Sequence, residues 1–163
     1  TARWNLLAQQ TVFAHTDQQP GEQVGYWNDG WSGYPAARQR LVDAVARHDV
    51  ANPVILSGDI HAFLANDVHA RPGDPESPVV AAEFVTTSIS SRGPSQSRMD
   101  RWSVENPNVR MARSDVRGYT RLTLGRDALR VDMVGIRDVS RPDSGAYTLA
   151  SYDVVTGEPG IAP

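Results

Sequence analysis

The chain has 163 residues, 40% of them hydrophobic and 21% charged, with a net charge of -3 and a pI near 5.7. That length supports one domain with a sizeable core. The balance gives no sign of a nucleic-acid surface, which would be basic. The apolar runs are far shorter than a membrane span, and the lack of cysteine excludes disulfides and thiolate metal ligands within the chain.

Trp4 to Phe13 reads as a strand, with aromatic and β-prone residues at both ends. Asp17 to Gly33 reads as a polar loop that carries Tyr26, Trp27 and Trp31. Three large aromatics in a polar loop either pack onto the core or line a site. Tyr34-Pro35 opens a helix, since proline suits a first turn whose N–H has no partner. Ala37, Leu41, Ala44, Val45 and His48 then recur at helical spacing, with Arg38, Arg40, Asp43 and Arg47 largely on other faces. The helix ends near Asp49, before Asn52-Pro53, and His48 in its last turn suits the helix dipole.

A short buried strand follows from Val54 to Ser57, then a strand or short helix over Ala62 to Ala70 and a proline-rich loop over Arg71 to Pro78. Val79 to Ile89 is a strand, Ser90 to Gln96 a loop, Ser97 to Val104 a short helix, and Val109 to Ala112 a brief strand. From Arg117 the pattern is a β meander: Tyr119, Leu122 and Leu124, a turn at Gly125-Arg126-Asp127, an alternating strand through Ile136, and a last strand over Tyr147 to Val155. The fold class is therefore α/β (mixed α+β), with more strand than helix.

The chemistry concentrates where the run ending at Ser57 meets Gly58, Asp59 and His61. In open α/β sheets the carboxyl edge of the strands is where ligands bind. If Asp59 and His61 are still extended, they point the same way. The plainer reading is an Asp that forms a turn and a His with satisfied hydrogen bonds in the core. Without cysteine, a metal here rests on oxygen and imidazole ligands, which suit iron, manganese, zinc or calcium.

Five segments in order carry a resemblance. They are Trp4 with Gln9-Gln10; Asp29 to Pro35 with Arg38 and Leu41; Val54 to Ala62; Glu83 to Ser91; and Arg117-Gly118-Tyr119 with Leu122. Together they resemble the carboxyl-terminal half of the PhoD-like alkaline phosphatase/phosphodiesterase family, a branch of the calcineurin-like metallophosphoesterases. The resemblance implies half of a two-sheet β-sandwich flanked by helices, with a binuclear metal centre at the strand tips. Iron with calcium are the metals it implies, with manganese or zinc as alternatives. It carries Asp59 and His61 over as metal ligands and catalytic residues. His61 is either a neutral ligand or a contact to the leaving-group oxygen. The substrate is a phosphate ester, and the location is extracellular or the cell envelope.

Asp29, Trp31 and Tyr34 are candidates for lining the substrate entrance, or else for local packing and capping. Arg38 and Arg92 could meet phosphate, Arg38 having a solvated helix face as its other reading. His15 and His69 read as surface residues. The family's amino-terminal ligand motifs are absent, and the chain begins at Thr1 without methionine or signal peptide. The expectation is that residues 1–163 are a single domain or part of one, missing its amino-terminal half. Such a chain would not hold two metals or turn over alone, and one side of its sheet would be bare. The competing reading is a non-catalytic β-rich accessory module that keeps the fold without the activity.

Overall fold

A computed structural model describes residues 2–163. Its strands are β1 (Asn5–Ala8), β2 (Pro53–Ser57), β3 (Phe63–His69), β4 (Val79–Val85), β5 (Val109–Arg113), β6 (Gly118–Leu124), β7 (Ala128–Ile136) and β8 (Ala146–Val155). Two helices, α1 (Pro35–Arg47) and α2 (Gln96–Glu105), and a 3-10 turn at Trp31–Gly33 complete it. The first five strands form one mixed sheet in the order β1-β2-β4-β3-β5, and β6-β7-β8 form an antiparallel meander.

In the larger sheet β1, β2 and β4 are mutually parallel, so their carboxyl ends share one edge. β3 runs antiparallel to both β4 and β5. β5 is thus parallel to β4 and ends at that edge too. The Asp59-His61 corner and the segments after Ala8, Val85 and Arg113 are all gathered there.

The two sheets share a core. Val54, Phe63, Ala65, Ala82 and Phe84 of the large sheet meet Leu129, Val131, Met133 and Val154 of the meander. The opposite face of the large sheet packs on the helices through two clusters, Ile55, Val68 and Ala81 near Val42 of α1, and Leu64, Val85 and Ala112 near Met99 of α2. Each fully buried Val, Leu, Ile, Phe or Met among them contributes about 1.5–3 kcal/mol relative to exposure. The central strands are thus covered on both faces, in contrast to the bare face expected. What stays open is the edge strand β1, where Leu6 and Leu7 are 41% and 43% exposed.

Three elements differ from the sequence expectation. β1 stops at Ala8 because Gln9 bonds across its own turn. Its Oε1 accepts from the Thr11 N–H at 3.1 Å, and its Nε2 donates to the Thr11 carbonyl. β4 stops at Val85 because the next residues turn to the meander. Thr86 Oγ1 donates to Thr120 Oγ1 at 2.8 Å, and Thr87 Oγ1 to the Val116 carbonyl at 3.1 Å. The buried face of α1 is centred on Arg38 and Val42, while Leu41 is exposed. Ala62 to Ala70, open between strand and helix, is the strand β3.

Candidate functional site

β2 delivers the corner and its neighbours pin it. The Gln9 N–H donates to the Leu56 carbonyl, the Gly58 N–H to the Gln10 carbonyl and the Thr86 N–H to the Ser57 carbonyl, all between 2.8 and 3.0 Å. Beyond Gly58 the backbone is no longer extended. Asp59 and His61 have φ of 73° and 56°, and the Ile60 N–H donates to the Gly58 carbonyl at 2.9 Å. This is the hydrogen bond and the φ of a γ-turn centred on Asp59, a rare and strained conformation. The side-by-side placement expected of an extended pair is therefore replaced by a tight turn. Aspartate and histidine are among the residues that enter the left-handed region most readily.

The turn leaves the Asp59 side chain exposed and His61 half-buried. His61 Nδ1–H donates to the Arg92 carbonyl at 2.9 Å. A neutral ring held this way presents a lone pair at Nε2, the arrangement in which metal-ligating histidines are oriented by an outer partner. The loop that supplies the carbonyl is itself fixed. Arg117 donates to Ser88 Oγ at 2.8 Å, to the Ser91 carbonyl at 2.6 Å and to the Ser114 carbonyl. Gly93 is required by the close approach, since a Cβ there would lie 2.3 Å from the His61 carbonyl oxygen.

Behind the edge lies a buried polar hub. Glu83, fully buried in β4, accepts from the N–H groups of Phe13 and Ala14 at 2.6 and 2.8 Å. It also accepts from Ser57 Oγ at 2.5 Å and Asn66 Nδ2 at 2.9 Å. Arg38 is 2% exposed, so neither a solvated face nor a phosphate contact describes it. Its Nε donates to the Phe13 carbonyl at 2.6 Å and its guanidinium lies 5.3 Å from the Phe13 ring centre. Burial pushes its pKa down, and the nearby Glu83 charge opposes that. Gln9 links this hub to the edge, donating to Ser57 Oγ at 2.5 Å and accepting from Trp31 Nε1 at 2.9 Å.

Trp31 is thus turned inward, against Phe13 at 5.1 Å in an edge-on pair. Asp29 and Arg92 are exposed, and Tyr34 is 63% exposed at the start of α1. The hydrogen bond between His61 and Arg92 uses the Arg92 backbone carbonyl, not its guanidinium. A groove of about 500 Å³ adjoins Asp59 and Ile60, lined by Trp27 and Trp102 rather than by Asp29, Trp31, Tyr34 or Arg92. His15 and His69 are half-buried rather than on the surface, and both line a second cavity of about 330 Å³. Burial pushes the His15 pKa down, reinforced by the Arg38 charge and opposed by Asp17.

Among the described residues no cluster of three or more histidine, aspartate or glutamate side chains could hold a metal. Asp59 and His61 are nevertheless chemically suited to be two donors of a larger set: one anionic oxygen, one oriented imidazole. No helix among the described residues is long and apolar enough to cross a membrane.

Sequence reasoning missed Glu83, Gln9, Gly93 and Arg117 as functional supports. The readable signal for Glu83 was a lone acid inside the apolar strand VVAAEFV.

A carboxylate and an imidazole at the carboxyl edge of parallel strands stand where ligands bind in α/β sheets. Comparison with known proteins makes this specific. The model of the PhoD-like phosphatase family matches residues 1–133, and the chain belongs to that family. Alkaline phosphatase D of Bacillus subtilis (strain 168), an enzyme, is 34% identical over 164 residues, covering 99% of this chain and 28% of that protein. A solved structure of PhoD matches with a TM-score of 0.88 and 32% identity, over 99% of this chain and 31% of that one. The chain thus spans under a third of the length of these relatives.

Proposed function

We propose that this chain is the carboxyl-terminal part of a metal-dependent phosphate ester hydrolase, a phosphatase or phosphodiesterase of the extracellular space or cell envelope. The remaining ligands, and the rest of a metallophosphatase sandwich, lie in an amino-terminal part of the same protein. The observation that carries the reading is His61, fixed through Nδ1 by the Arg92 carbonyl with Nε2 free, beside the exposed Asp59 at the strand tips.

Asp59 would give anionic oxygen and His61 its Nε2 lone pair to a binuclear centre, iron with calcium by family likeness and manganese or zinc otherwise. Cations held there offset phosphate charge and acidify the attacking water. The chain's own part is positional. The γ-turn aims Asp59 outward, and the Arg92 carbonyl fixes the ring. With Nδ1 donating to the Arg92 carbonyl, Nε2 is the ring atom left for either role, a lone pair to a cation or a contact to the leaving oxygen.

Asp59→Asn and His61→Gln in the full-length protein test this. Both lower bound metal, measured by elemental analysis, and reduce kcat/KM by at least about 100-fold, beyond the usual effect of outer partners. Unchanged metal content and hydrolysis in Asp59→Asn would remove it from the ligand set. If His61→Gln keeps its metal and its defect grows with leaving-group basicity, His61 serves the leaving oxygen instead. The 163-residue chain alone, supplied with iron and calcium, gives no turnover above a metal blank.

A further inference from the structure

The groove beside Asp59 runs between the loop containing Trp27 and helix α2. At about 500 Å³ it falls within the roughly 300–1,000 Å³ of pockets that enclose organic ligands. Val12, Trp27, Met99 and Trp102 give the wall its large apolar surfaces. Trp27 is 49% exposed in a polar loop, a large aromatic surface that the fold itself does not use. The charged lining is slightly acidic: Arg98 and Arg101 stand against Asp17, Asp59 and Glu105. A groove for a polyanionic chain would carry a basic excess, and this one does not. Asp59 belongs to that lining, so the groove adjoins the candidate site.

We propose that this groove is the leaving-group subsite for the ester bound at Asp59 and His61. It selects phosphate esters whose alcohol is apolar and ring-sized or longer over esters of small alcohols. The inference rests on the phosphoester reading above and adds the class of alcohol. Phosphate sits at the Asp59 end while the alcohol lies along Trp27 and Trp102, where burying its carbons favours the bound state.

The test uses the full-length protein with ethyl, hexyl and 2-phenylethyl phosphate, whose leaving alcohols have similar basicity. The expected kcat/KM for the two larger esters exceeds that for ethyl phosphate by about 10- to 100-fold, from the burial of several methylene equivalents. Trp102→Ala collapses that ratio toward one. Trp102→Phe retains most of it, because the ring stays and the lost indole N–H has no partner in the fold. A flat ratio in the wild type, or a ratio unchanged in Trp102→Ala and Trp27→Ala, overturns the subsite. If the wild type hydrolyses none of the three, the phosphoester reading fails for such monoesters. The groove is then judged by calorimetry with 2-phenylethylphosphonate against ethylphosphonate. Equal affinities overturn it, and tighter binding of the phenylethyl compound that Trp102→Ala abolishes upholds it.

Discussion

The two sheets of this protein treat charge in opposite ways. The five-stranded sheet buries it. Glu83 sits fully enclosed with four donors on its two oxygens, and Arg38 lies beneath α1 with its Nε on the Phe13 carbonyl. The meander keeps its cations in solvent: Asp132, 7% exposed, meets the exposed guanidinium groups of Arg121 at 2.8 Å and Arg130 at 3.3 Å, and Arg130 also reaches Asp153. Pairs whose cation stays in water are screened and contribute little to stability. A buried carboxylate whose donors have no other partner fixes those donors in place, and removing it is expensive. The difference separates a sheet that holds a geometry from one that covers it. Glu83 anchors Phe13 and Ala14 and, through Ser57 and Gln9, the ends of β1 and β2 next to the candidate site.

Glu83→Ala breaks the comparison most sharply. It leaves two buried N–H groups, Ser57 and Asn66 without their acceptor and the buried Arg38 without its nearby countercharge, and a loss of about 3–5 kcal/mol is expected by urea denaturation. Next comes Gly93→Ala. Its methyl group would press on the His61 carbonyl oxygen, so the loop must shift and the Arg92 carbonyl leave the imidazole. Activity of the full-length protein is expected to fall about 10- to 100-fold, as when an outer partner of a ligand is lost, with a smaller loss of melting temperature. Retained activity would show that His61 does not depend on that carbonyl.

The third effect is a pH dependence from the large sheet's side of the molecule. His15 has a folded-state pKa below its ordinary value, through burial and the Arg38 charge. The unfolded chain therefore takes up that proton first. Stability is complete above about pH 6.5, declines as pH drops through that value, and levels off below the folded-state pKa. Urea midpoints between pH 7.5 and 5 should show a slope that His15→Gln reduces. The smallest effect belongs to the meander. Asp132→Asn should shift the urea midpoint by a small fraction of the Glu83→Ala shift, and high salt should shrink it further. Comparable losses at positions 83 and 132 would erase the contrast between the sheets.

Much of the scaffold was legible in the sequence because period and punctuation were strong. The proline opening α1, the alternation from Leu129 to Met133 and the turn at Gly125 to Asp127 all mark elements that exist. Ends of strands were less legible. Thr86 ends β4 through a side-chain bond to the distant Thr120, and Gln9, which ends β1 by bonding to Thr11, is held by the distant Ser57 and Trp31; no local pattern encodes those partners. Arg38 looked like a solvated face for the same reason: its enclosure is created by Phe13 and Glu83, remote in sequence. At the site, Gly58, Asp59 and His61 were visible as residue types, while their left-handed backbone was not. Nothing in one sequence distinguishes an extended strand tip from a γ-turn. Trp27 and Trp31 were indistinguishable as loop aromatics until Gln9 captured one of them and left the other beside the groove.

The strained turn at Asp59 also sets the direction in which selection would act on this position. A left-handed backbone at a non-glycine residue is held at a disadvantage of order 1–3 kcal/mol, and glycine relieves it without rebuilding the loop. Asp59→Gly should therefore give a protein that melts later while losing the carboxylate. A screen that rewarded heat resistance alone would drift toward that substitution and deliver sturdier, inert variants. Persistence of aspartate at this position under such a screen would require a second pressure, applied through the chemistry at the strand tip.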